Sequence, residues 1–181
     1  MKQAPHILTR TTVATSRHFR IEQQHLRFSN GVEVDYERLV SSPRGAVLIV
    51  PMLDDNTVLL IREYAAGVER YELALPKGSI EANEPLLDAA NREIQEEVGY
   101  AARQLEHIKS FSISPGYFSH MTHVVLAEDL YEQRLEGDEP EAIEVVPWKL
   151  SELDSLLEEA ECTEARSIAA LYLVRDRISN R

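Results

Sequence analysis

Glu93, Glu96 and Glu97 stand at i, i+3 and i+4, so on a helix their carboxylates converge on one patch. Like charges so placed repel, and no lysine lies between Lys77 and Lys109 to relieve them. A cation held in the patch would relieve them, and hard oxygen ligands of this kind suit Mg²⁺ or Mn²⁺. Arg92 adjoins the cluster and can bridge two of its carboxylates or hold Glu84 in a forked hydrogen bond. Upstream, Pro76-Lys77-Gly78 reads as a turn delivering main-chain carbonyls, that of Lys77 being a candidate further metal ligand.

The element that must carry the glutamates is a helix over residues 85–98. Leu87, Ala90, Ile94 and Val98 recur on one face, Pro85 suits the first turn and Gly99 suits the stop. Around it the pattern predicts strands. Residues 21–28 and 32–40 flank the hairpin signal Asn30-Gly31, and 46–51 and 57–61 flank the polar turn Asp54-Asp55-Asn56. Further strands are expected over 105–113, 123–127 and 143–148. An acidic stretch, Glu136-Gly137-Asp138-Glu139-Pro140-Glu141, lies between the last two. Helices over 151–160, capped by Ser151, and 163–178, with Ile168, Leu171, Val174 and Ile178 inward, follow.

A chain of 181 residues accommodates one main domain with a sizeable core. No apolar run is long enough to cross a bilayer, and the polar N-terminus has no apolar stretch of the kind a secretory signal carries. The single cysteine, Cys162, allows no disulfide within the chain, which favours a cytoplasmic setting. A formal net charge of −12 argues against a general nucleic-acid binder. It also means that a phosphate substrate would be repelled unless a divalent cation joined the two.

Gly78, Glu84, Arg92-Glu93-Ile94, Glu96-Glu97 and Gly99-Tyr100 carry the spacing GX5EX7REUXEEXGU, with U bulky and apolar, and satisfy every fixed position. On these residues the chain resembles the Nudix hydrolases. The resemblance implies an α+β protein with the Nudix α/β/α sandwich and a mixed sheet, here over 44–181, plus a small N-terminal antiparallel sheet over 1–43. It implies two or more divalent cations bound by Glu93, Glu96, Glu97 and the Lys77 carbonyl, with Glu84 and Arg92 supporting catalysis. Cations bridging both phosphates would neutralise them and polarise the attacked phosphorus.

Ile61-Arg62-Glu63-Tyr64 before Tyr71-Glu72-Leu73, the Ser114-Pro115-Gly116 turn and Thr163-Glu164-Ala165-Arg166 are similar to the ADP-ribose pyrophosphatase group, and within it to bacterial hydrolases of ADP compounds. That likeness implies ADP-ribose, NADH or diadenosine oligophosphates as substrates, Pro115 as the group's marker, and a homodimer formed through the N-terminal sheet. The chain departs from the group at His120, where many ADP-ribose hydrolases carry a glutamate. The catalytic base of such relatives lies in a late acidic loop, matched here by Glu139, with Glu141 as the alternative; the plainer reading is a solvated turn. Arg62 could contact phosphate or ribose, Tyr64 could stack on adenine, and Glu72 could accept from an amino group. A salt bridge for Arg62 and strand packing for Tyr64 are equally open. Two other functions compete: a nucleotide-sensing module that has lost catalysis, and an enzyme for other nucleoside diphosphate sugars.

Overall fold

A computed structural model describes residues 2–180. The chain divides into two compact units. The smaller comprises the residues up to Gly45 together with Ser112–Met121. It holds β1 (His6–Thr15), β2 (Arg20–Arg27) and β3 (Glu33–Leu39), an antiparallel sheet in that order. The turn at Asn30-Gly31 forms as its sequence predicts, with Gly31 at φ +83°. β1 was not foreseen. Every residue of it is exposed, so it lacks the in-out alternation by which a strand is recognised. Segment Ser112–Met121, assigned from sequence to the larger domain, is stitched to the end of β3: the Leu39 N–H donates to Tyr117 and the Ser119 N–H to Leu39.

The larger unit is a three-layer sandwich. Its strands are β4 (Ala46–Pro51), β5 (Thr57–Ala65), β6 (Arg70–Ala74), β7 (Lys77–Ser79), β8 (Tyr100–Ser112), β9 (Met121–Glu132) and β10 (Glu144–Lys149). They form a four-stranded mixed sheet, β7-β4-β9-β8, with β4 and β9 parallel, and a three-stranded antiparallel sheet, β10-β5-β6. Thus β4 and β5, neighbours in sequence, lie in different sheets and pair only beside their turn, at Met52 and Val58.

Period-two alternation along the central strands builds both outer layers. Val47, Ile49, Leu59, Ile61, Val125 and Ala127 pack with Ala89, Ala90 and Ile94 of helix α1 (Leu86–Glu97) and with Val98 at its C-cap. Leu48, Val50, Leu60, Val124 and Leu126 face the other way, onto Ala170, Leu171 and Val174 of the C-terminal helix and Leu153 and Leu156 of a short one. These are α3 (Ala165–Ser179) and α2 (Leu153–Leu156).

The capping role expected of Ser151 is not what forms. Leu150–Glu152 is a 3₁₀ turn in which the Ser151 N–H and Oγ bond the side chain of Asn56, and regular helix persists only to Leu156. With its Oγ accepting from Asn56 Nδ2, Ser151 caps neither the turn nor the helix. Glu164 does cap α3, accepting from the N–H groups of Arg166 and Ser167. Among the described residues no helix is long and apolar enough to cross a membrane.

Candidate active site

Helix α1 brings the three glutamates together as its spacing requires, but on a buried surface. Glu93 is 7% exposed and Glu97 3%, because the helix packs on β4 and β7 rather than presenting this side to water. Lys77 and Gly78, expected in a turn, form the short strand β7, antiparallel to β4. That strand lets the Lys77 N–H donate to Glu97 Oε2 at 3.0 Å. It also runs so close to the helix that a Cβ on Gly78 would lie 2.0 Å from the Glu93 carboxylate. Only glycine leaves that room.

Arg92 makes both of the arrangements its position allowed. Its Nε and Nη2 fork onto Glu84 at 2.8 and 3.1 Å, while Nη1 donates to Glu93 and Glu96, each at 2.8 Å. Nη2 also donates to the Ser79 carbonyl at 3.0 Å. Glu84 in turn accepts from the Glu81 N–H at 2.9 Å, fixing the loop before the helix. The fork holds Glu84 below the usual carboxylate range. Gly99, at φ +83°, ends the helix by donating to the Ile94 carbonyl.

Two of the glutamates are strongly perturbed. Burial pushes Glu93 up to about 7, Arg92 opposing and Glu96 and Glu139 adding to it. Burial pushes Glu97 up to about 8, against the pull of Lys77 and with the repulsion of Glu93 and Glu63. Near neutral pH such carboxyls ionise fully only beside added positive charge.

The site is a cleft of about 470 Å³. Besides α1 and β7 it is lined by Glu63 and by Glu136, Asp138 and Glu139 of the late acidic loop. Glu63 escaped the sequence reading, although a signal existed. Ile61 packs against α1, so Glu63, two residues on, falls on the same face of β5. Its carboxylate pairs with Lys77 Nζ at 2.9 Å.

The remaining candidates are dispersed. Glu141 lines a smaller cavity of about 100 Å³ with Arg62, Tyr64 and Glu139, and accepts from the Tyr71 hydroxyl. Arg62 donates to Glu144 at 2.6 Å and Glu161 at 2.9 Å. Tyr64 meets Tyr71 edge to face, ring centres 5.6 Å apart. Glu72 is buried and faces Arg70 and Thr163, not the cleft; burial alone would raise it, but those partners hold it low. Pro115 belongs to the smaller unit, in a groove of about 290 Å³ with Phe28, Tyr36 and Phe118.

Among the described residues no three ligating side chains converge as arranged on one metal position. Glu93 and Glu96 are drawn to Arg92, and Glu97 to the Lys77 N–H. The donor set nevertheless fits a hard divalent cation. It offers hard oxygen ligands, two of the carboxyls raised by burial, around a space kept open by Gly78.

Residues 42–171 match the NUDIX domain family, and residues 5–38 match the NudE-type Nudix hydrolase N-terminal domain. The chain is 49% identical over 174 residues to the ADP compounds hydrolase NudE of Escherichia coli, covering 96% of this chain and 93% of that one. It is 33% identical to the ADP-ribose pyrophosphatase of Bacillus subtilis, covering 72% of each. A crystal structure of an ADP compounds hydrolase superposes with a TM-score of 0.92 at 48% identity, over 99% of this chain and 97% of that one. With its glutamate helix, glycine strand and sandwich all accounted for, the chain belongs to the Nudix hydrolase family and carries an N-terminal domain of the NudE type.

Proposed function

We propose that this protein hydrolyses the pyrophosphate bond of ADP-linked compounds, releasing AMP and X-phosphate. ADP-ribose, NADH and diadenosine oligophosphates are the candidate substrates. The observation that carries this reading is the pair of buried, raised carboxylates Glu93 and Glu97 beside Gly78, a site that calls for cations and the anion they bring. The similarity to hydrolases of ADP compounds and ADP-ribose supplies the substrate class.

Glu93, Glu96, Glu97 and the Lys77 carbonyl would hold Mg²⁺, or Mn²⁺, with two or more ions per site. Bound there, the cations supply charge neutralisation for the diphosphate and polarise the attacked phosphorus. Arg92 and Glu84 keep the glutamates in place. Glu139 accepts the proton of the attacking water, and the phosphoanhydride P–O bond breaks with the bridging oxygen leaving on the other phosphate. Glu139 is favoured over Glu141 because it lines the glutamate cleft, whereas Glu141 is engaged by Tyr71. Arg62 and Tyr64 border the adjoining cavity and serve the nucleotide or its X group. Glu72 and Pro115 are the weaker candidates for substrate contact, since Glu72 is committed to Arg70 and Thr163.

The substrate is a small molecule rather than a nucleic acid, and the setting is cytoplasmic. A homodimer through the smaller unit is supported by Ile7, Val13, Phe19 and Tyr36, all exposed there. The test is a panel of ADP-ribose, NADH, diadenosine triphosphate, ADP-sugars and nucleoside triphosphates with Mg²⁺, products read by chromatography. AMP released from the ADP-linked compounds is the expected result; turnover of nucleoside triphosphates alone would overturn the assignment.

A further inference from the structure

The acidic loop is anchored at both ends. At its start the Gln133 N–H donates to the Gly99 carbonyl and the Leu135 N–H to the Gln95 carbonyl, each at 3.1 Å, while Arg134 Nη2 reaches the Val98 carbonyl at 3.3 Å. The loop is thereby tied to the C-terminal turn of α1. At its far end the Tyr71 hydroxyl donates to Glu141 Oε1 at 2.5 Å. Tyr71 stands opposite Tyr64 across the β5–β6 pair, and the edge-to-face contact of their rings fixes its aim.

Between the anchors Glu139 is suspended in the cleft against like charge. Glu136, Asp138 and Glu139 line the same space as Glu93, Glu96 and Glu97, and Glu139 is near enough to Glu93 for the two to repel. Glu141 is two residues from Glu139, a reach of about 7 Å of extended chain, so the bond from Tyr71 holds the chain closer to Glu139 than do the Ile143 packing and the Arg62–Glu144 pair beyond it.

We propose that the Tyr71–Glu141 hydrogen bond is a latch holding the Glu139 loop at the cleft, which makes Tyr71 a positioning residue for hydrolysis. The inference rests on Glu139 being the base, as argued above. Losing the latch misplaces the base without touching the glutamates of α1, so it lowers kcat and spares KM.

Steady-state kinetics on ADP-ribose with Mg²⁺ test this, with Trp148 fluorescence melts confirming that each variant folds. Tyr71→Phe and Glu141→Ala each lower kcat about tenfold with KM changed less than about twofold, and the double variant is no slower than either. Glu141→Gln, whose amide oxygen still accepts from Tyr71, recovers most of what Glu141→Ala loses. Glu139→Gln lowers kcat about a hundredfold or more, and adding Tyr71→Phe to it has no further effect. Wild-type kcat in Tyr71→Phe alongside a crippled Glu139→Gln overturns the latch alone. Multiplicative losses in Tyr71→Phe/Glu139→Gln, or Glu141→Gln falling as low as Glu139→Gln, also overturn it. Wild-type kcat in Glu139→Gln instead overturns the base assignment, and the latch with it.

Discussion

Replacing Glu97 by glutamine should stabilise the metal-free protein while abolishing its activity. Glu97 is almost fully buried, and its carboxyl is pushed from 4.5 to about 8. A carboxyl raised on folding binds more protons folded than unfolded, so stability is greatest below about 4.5 and falls as pH climbs through about 8. At 1.36 kcal/mol per pH unit, holding Glu97 ionised costs at most about 5 kcal/mol. Side-chain relaxation and water entry reduce this to ~2–3 kcal/mol. Glutamine removes the charge and keeps an oxygen to accept from the Lys77 N–H. In chelator at pH 9, Glu97→Gln should melt about 5–10 °C above wild type. At pH 5 the difference should close to within about 0.5 kcal/mol. The sole tryptophan, Trp148, packs against the core of the same unit and reports the transition by fluorescence. With Mg²⁺ the variant should lose kcat at least about a hundredfold. A wild type as stable as the variant at pH 9 in chelator would refute the reasoning, because Glu97 would then carry no buried-charge penalty.

The same cleft makes two further predictions. Added Mg²⁺ should stabilise wild type at pH 8, by about 2.7 kcal/mol at a hundred times Kd, and Glu97→Gln by less than half as much. Thermal melts across a Mg²⁺ titration measure this, and no gain in wild type would remove the cation from this cleft. Gly78→Ala puts a methyl group where the Glu93 carboxylate now lies. The side chain must swing away from Arg92 while the strand pairing of β7 survives, so kcat should fall about 10–100-fold with the melting temperature little changed. Full activity in Gly78→Ala would show that the position of the Glu93 carboxylate is irrelevant to turnover.

What the sequence made legible was what neighbours in the chain decide. The helix carrying Glu93, Glu96 and Glu97 is written in its own periodicity and stop signal, and the hairpin at Asn30-Gly31 in a dipeptide. Arg92 could be placed against Glu84 because both belong to one loop and helix. Contacts between distant segments left no comparable trace. Ser151 looked like a cap until Asn56, far away in sequence, engaged its hydroxyl. Lys77-Gly78 looked like a turn until β4 paired with it. The glutamate face was marked by its charge, but a helix read alone does not show the strand and loop that cover it. Glu63 was recoverable from alternation, since Ile61 gave its face away, but Tyr71 was not. Nothing within β6 marks one tyrosine hydroxyl as the partner of Glu141, seventy residues on. The chemistry of the site is therefore local and readable, whereas its geometry, which decides which acidic side chains line the cleft and which are drawn to a distant tyrosine, depends on pairings that only the folded chain creates.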